Sequence, residues 1–151
     1  MVEFQFDFEF TLDKFKKCLP DYTGNIEELY TIFHDVLRAY RVTSPHRLAG
    51  FIDQFNYRTK GFTDLETLRP NPVTLRQWAT FIKVTPEEAN KYLTTLKGTI
   101  DLAGWIWNIN YLNTVADNQD QRNLAKRINP ELTDLQERHN NFQRIYHILN
   151  G

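Results

Sequence analysis

The chain of 151 residues is poor in several things, and each shortage excludes a class. A single cysteine, Cys18, excludes an internal disulfide and any multi-cysteine zinc site. Six glycines and six prolines exclude collagen-like and low-complexity sequence. No apolar run approaches the roughly 20 residues that a membrane helix needs, so no membrane span is expected. No Gly-rich phosphate loop and no nucleophile elbow occur. A net charge of −1 argues against a dedicated nucleic-acid binder, so no nucleic-acid partner is expected.

What remains is the composition of one globular domain, with 41% apolar and 25% charged residues. The opening, MVEFQFDFEF, has acids at every apolar step and lacks the apolar core of an export signal. Synthesis in the cytoplasm is therefore expected, and the free thiol fits that compartment. Charge is uneven along the chain. Residues 1–35 carry eight acids and three bases, whereas residues 36–100 carry ten bases and five acids. Such a split reads either as a self-neutralising surface or as a docking face.

Phe4, Phe6, Phe8 and Phe10 alternate with Gln5, Asp7 and Glu9. Period two predicts a short half-buried strand or an extended arm over residues 1–10. Two readings stand open: packing on the chain's own domain, or an assembly arm that adds to a partner. From Thr11 the period becomes helical. Thr11 is placed to cap a helix through Cys18, which Pro20 stops. Ile26, Leu29, Tyr30, Phe33, Val36, Leu37 and Tyr40 mark one amphipathic helix. Ser44 followed by Pro45 opens another, with Leu48, Phe51, Ile52 and Phe55 on its apolar face. This helix, over 45–57, is expected to be central.

Pro70 and Pro72 break the chain, and helices are predicted near 74–83 and 86–96, the second opened by Thr85-Pro86-Glu87-Glu88. An apolar helix over 99–109, another near 119–128 and a last from Thr133 to Leu149 complete the pattern. The expected fold is all-α, one compact domain over residues 11–151 behind the N-terminal arm.

Two stretches carry a family resemblance. In residues 43–68, Thr43, Pro45, Arg47, Ala49, Phe51, Gln54, Gly61, Phe62, Leu65, Glu66 and Leu68 fall on the pattern T-P-x-R-x-A-x-F-x-A-Q-x-x-H-E-S-G-G-F-x-x-L-E-E-N-L. In residues 103–138, Trp105, Trp107, Leu112, Asn113, Ala116, Asp117, Arg127, Ile128, Asn129, Leu135 and Arg138 follow a second. Together these resemble glycoside hydrolase family 19, the chitinases and phage endolysins. The resemblance covers about two-thirds of the chain. It implies a lysozyme-like fold and, through the phage members, a phage-encoded protein with incorporation in a virion as one destination.

The departures from that pattern fall on the chemistry. Glycoside cleavage takes one carboxyl group to protonate the leaving oxygen and another to activate water. The family's acid position reads Arg58 and its histidine Tyr57; the second carboxylate falls on Thr67, with Glu66 one position off. A guanidinium does not release its proton at neutral pH, and a hydroxyl is no base without an activator. The cleft segment of the family has no counterpart between Leu68 and Lys97. In the sugar loop, Pro130 and Glu131 replace close-approach glycines, while Asn129 is retained.

The resemblance thus implies a non-catalytic scaffold, not an enzyme, acting by binding or assembly. Its partner is another protein, as in a virion tail or baseplate component or a protein-binding inhibitor, or else peptidoglycan. Asn113, Asn129 and Thr133 are the residues left for a glycan or partner groove, and Phe4 to Phe10 for an assembly arm. The alternatives are a glycan-binding module, and a residual hydrolase that uses Glu66 with Asp53 or Asp64.

Other constellations are weaker. His139 and His147 lie eight apart on one helix face, without the third ligand that zinc needs. Asp117 to Asp120 lacks the ligand pattern of a calcium loop. No metal and no cofactor are expected. Lys14, Lys16 and Lys17 near Cys18 would lower its pKa if they reached the thiol, but a plain core or surface thiol is the expected state. Trp105 and Trp107 are expected in the core rather than stacked on sugar.

Overall fold

The computed structural model describes residues 5–59, 69–118 and 135–151. Within them the chain is all-α: α1 (Leu12–Cys18), α2 (Ile26–Ala39), α3 (Pro45–Arg58), α4 (Pro72–Ile82), α5 (Pro86–Tyr92), α6 (Leu96–Ile109), α7 (Leu112–Asp117) and α8 (Leu135–Asn150). The helix expected near 119–128 lies outside the described residues.

Local chemistry sets most of the starts. The side chains of Thr11, Asn25, Ser44, Asn71 and Thr95 each accept a hydrogen bond from the backbone N–H three residues on. At α5, Thr85 and Glu88 complete a reciprocal capping box. Proline occupies the first turn of α3, α4 and α5, where its missing N–H removes no helical bond. Helix α5 ends at Tyr92, earlier than the expected 96, because Thr95 caps the next helix. Helix α7 is a short addition that the sequence pattern missed. It begins at Tyr111 in a left-handed conformation (φ 55°), with no side-chain cap.

Helix α3 lies at the centre. Eight consecutive residues, Leu48 to Phe55, are buried, so this helix meets protein on every side along that stretch. It packs on α8 and α7, while α6 packs on α2, α5 and α7. Helix α1 closes against α8. Arg144 donates to the carbonyl oxygens of Lys17 (3.0 Å) and Cys18 (3.0 Å), and Lys14 donates to that of Leu149 (3.2 Å).

Residues 5–10 form no strand. Phe6, Phe8 and Phe10 nevertheless turn inward while Gln5, Asp7 and Glu9 are exposed. Their rings pack on one another and on His34, and Phe10 also meets Phe15 and Tyr30. The Tyr30 hydroxyl donates to the Phe10 carbonyl (2.8 Å), and the Asp7 N–H to that of Thr43 (3.0 Å). The alternation therefore records burial of one face, not pairing with another strand. Phe4 lies outside the described residues.

Two glycines let α6 be approached closely. A Cβ at Gly98 would lie 2.0 Å from the Tyr92 carbonyl oxygen, and one at Gly104 would lie 2.6 Å from the Tyr40 ring. Between them Asp101 accepts hydrogen bonds from the Tyr40 hydroxyl (2.8 Å) and the Tyr92 hydroxyl (3.3 Å), joining α6 to the end of α2 and to α5. Replacing Gly98 by alanine gains about 1 kcal/mol of helix propensity, but the new methyl meets a backbone atom that cannot rotate away. Overpacking of this kind costs about 1–3 kcal/mol, and a contact this short belongs at the upper end. Gly98→Ala should therefore lower stability by roughly 1–2 kcal/mol net, read as a lower urea midpoint at unchanged slope.

Candidate functional site

An apolar pocket opens between α3, α6 and α7. Phe51, Phe55, Leu102, Ala103, Ile106, Trp107 and Leu112 form its walls, with Gln54 and Arg58 as the polar members. It spans about 490 Å³, counted out to open solvent. Arg58 comes from the last turn of α3 and is exposed, so its guanidinium stands at the rim of an apolar recess.

Behind the pocket, α3 and α8 enclose a run of polar side chains. Asp53 and Arg138 are almost fully buried, and Arg138 Nε lies 3.9 Å from Asp53 Oδ2. Arg138 Nη2 donates to Gln54 Oε1. Its guanidinium also lies over the Tyr57 ring, 4.3 Å from the centroid. Asn141 Nδ2 donates to Asp53 Oδ1 (2.9 Å), and Arg144 Nη2 donates to Asn141 Oδ1 (2.9 Å). Arg144 in turn reaches the end of α1, so the polar run links α1, α8 and α3 up to a pocket wall residue, Gln54. The amide Nε2 of Gln54 is buried and finds no hydrogen-bond partner among the described residues.

The residues singled out in the sequence divide accordingly. Tyr57 and Arg58 are described: the first packs on Arg138, the second borders the pocket. Glu66, Thr67, Asp64, Asn129 and Thr133 lie outside the described residues. Asn113 has both ends of its amide engaged inside the fold. Its Oδ1 accepts from Trp107 Nε1 (2.8 Å) and its Nδ2 donates to the Tyr40 carbonyl (3.0 Å). It ties α7 to α6 and to the end of α2. Trp105 and Trp107 are buried, as expected of core residues, although Trp107 also borders the pocket. Asp53 is out of reach of solvent, so it is a structural carboxylate.

Among the described residues no group of His, Cys, Asp and Glu is placed to hold a metal ion. His46 lies tilted against the Tyr146 ring (4.2 Å between centroids) and His34 joins the aromatic cluster of the N-terminal segment. Asp117 holds Arg47 in a two-pronged ion pair (2.6 and 2.8 Å). That hydrogen bonding raises the Arg47 pKa further. Cys18 is buried, and loss of water pushes its thiol up to about 12, against a smaller lowering by Arg144. The nearby lysines do not activate it.

The polar run was invisible as a site in the sequence. One signal existed: Asp53 and Gln54 interrupt the apolar stretch of α3, and Arg138, Asn141 and Arg144 recur every three residues on α8. Comparison with protein-family models, curated proteins and solved structures finds no match to this chain.

Removing one partner of a buried ion pair is expected to cost about 3–5 kcal/mol, while an apolar replacement of both is far milder. Arg138→Met should destabilise by that amount in urea unfolding, and Asp53→Leu with Arg138→Met together by clearly less than the sum of the two single changes. The raised pKa values of Cys18 and of Tyr92 (about 12, from burial and then the Asp101 charge) set an alkaline dependence. The unfolded chain loses these protons near their ordinary values of 9.0 and 10.0, while the folded chain keeps them. Stability should hold up to pH 9 and fall between 9 and 12, as urea midpoints across that range will show. Cys18 should react with a thiol reagent at pH 8 only as fast as the fold opens.

Proposed function

We propose that this chain acts by binding and assembly rather than by bond cleavage, on a lysozyme-like scaffold whose acid position holds Arg58. The observation that carries this reading is the pairing of Arg58 with an apolar recess. A guanidinium there supplies no proton, and the apolar walls beside it suit an apolar side chain of a partner. The nearest α3 carboxylate, Asp53, is sealed beneath Arg138 and Asn141, where no substrate reaches it. Burial of the two tryptophans and engagement of Asn113 also support a protein partner over a sugar chain. In the phage setting that the sequence resemblance suggests, the role is a virion tail or baseplate component or a protein-binding inhibitor. A glycan-binding module is the second reading, and Asn129 in the family's sugar loop favours it. A residual hydrolase using Glu66 is the third.

The protein should leave the turbidity of outer-membrane-stripped bacteria unchanged. Lysis that Glu66→Gln abolishes would overturn the proposal. Arg58→Glu with Thr67→Glu should stay inactive too. A carboxyl pair needs a separation of roughly 5–9.5 Å. It also needs a substrate held in place, which supplies roughly 7–11 kcal/mol of the barrier reduction. Released muropeptides from that double variant would show that only two side chains separate the scaffold from an enzyme. Retention on purified peptidoglycan but not on chitin would move the assignment to the glycan-binding reading.

A further inference from the structure

The uneven charge of the sequence becomes a spatial separation in the fold. The N-terminal segment and α2 form one layer, joined through Phe10, Tyr30 and His34. This layer exposes Asp7, Glu9, Glu27, Glu28 and Asp35; Arg38 is the one lysine or arginine within residues 5–10 and α2, and α1, packed beside them, brings Lys14 over the Phe8 ring. Helices α4 and α5 with the start of α6 expose Arg69, Arg76, Lys83, Lys91 and Lys97 against Glu87 and Glu88. Helix α6 stands between the two layers. Gly104 faces Tyr40 at the end of α2, whereas Gly98 faces Tyr92 of α5. Six residues apart, those two positions point about 120° away from each other around the helix.

Each layer also carries apolar surface beside its charges. On α4, Val73 and Phe81 are about half exposed, with Arg76 between them in sequence. On the opposite layer, Phe6 and Phe8 are only partly buried and alternate with Asp7 and Glu9. Cations interleaved with apolar side chains on one side thus match anions interleaved with aromatic ones on the other.

We infer that the partner of these surfaces is a second copy of this chain, docked head to tail, with the α4–α5 layer of one copy on the N-terminal and α2 layer of the next. The chain itself supplies both halves of the charge pattern, and its net charge of −1 lets copies add without accumulating repulsion. Two different surfaces meet, so the contact is heterologous and repeats into a ring or an open filament. This deepens the assembly part of the proposed function by naming the partner. Hydrolytic activity would sink that reading and leave this one untouched; a chain that stays monomeric would do the reverse.

Sedimentation velocity of the full chain is the test. At about 0.01 M salt, where charges act over about 30 Å, the mass should rise above 18.0 kDa with concentration, and at about 1 M, where they act over about 3 Å, it should return to the monomer. Arg76→Glu, Lys91→Glu and Lys97→Glu together should weaken self-association at least tenfold, as should Glu9→Lys, Glu27→Lys and Asp35→Lys together. The two triple variants mixed one to one should associate, because each retains the face the other has lost. Circular dichroism checks that both are folded; a basic-face triple that is not folded is replaced by Arg76→Gln with Lys91→Gln, and an acidic-face triple by Glu9→Gln with Glu27→Gln, with the same expected weakening. A monomer at every concentration in low salt, an assembly that neither triple weakens, or a mixture that stays monomeric would each overturn the inference.

Discussion

The guanidinium of Arg138, shut between α3 and α8, is the constraint on which the surrounding structure depends. A charge in that position is tolerable only while Asp53, Gln54 and the Tyr57 ring stay where they are. Those three side chains sit on one helix, so α3 and α8 can meet in one register. The requirement passes outward. Asn141 holds the far oxygen of Asp53, and Arg144 holds Asn141 and the last carbonyls of α1. Apolar packing around α3 favours many arrangements that bury Leu48, Phe51 and Ile52. The polar run selects among them.

The same run accounts for the character of the pocket. Gln54 belongs both to the buried network and to the pocket wall, so that wall is held from behind rather than by whatever enters in front. The opposite wall comes from α6, whose position is fixed by two close glycine contacts and by the two tyrosine hydroxyls on Asp101. A recess with both walls anchored in this way exists before a partner arrives. Preformed recesses lose little freedom on binding, which suits the binding role proposed above.

The parts of this fold legible in the sequence were those governed within a few residues. Thr11, Ser44-Pro45 and the Thr85–Glu88 box announce their helices because capping is a contact over three positions. The alternation of Phe6, Phe8 and Phe10 was equally plain, since it is a local fact; whether the rings packed on this chain or on a partner was not. Helix α7 escaped because its start relies on Tyr111 in a left-handed turn, held by neighbours and not by its own side chain. Cys18 was expected to be a plain thiol despite three nearby lysines, and the burial against α8 that keeps it so comes from far along the chain. Asp53 looked like a spare carboxylate until Arg138, many residues later, was brought onto it. Glu66, Thr67, Asn129 and Thr133, on which the chemical argument from the resemblance turned, fall outside the described residues.

The bonds from Arg144 and Lys14 across the α1–α8 contact have a consequence for how the protein comes into being. They join two helices far apart in the chain, with sequence separations of 127, 126 and 135 residues. Helix α1 also packs on α2, where Phe15 meets Tyr30 and Phe33. During synthesis that apolar contact can form early, but the last carbonyl oxygens of α1 wait for Arg144 until α8 has emerged. Helix α1 is therefore secured in two stages, its apolar face first and its last turn much later, and the second stage brings α8 beside the Cys18 thiol.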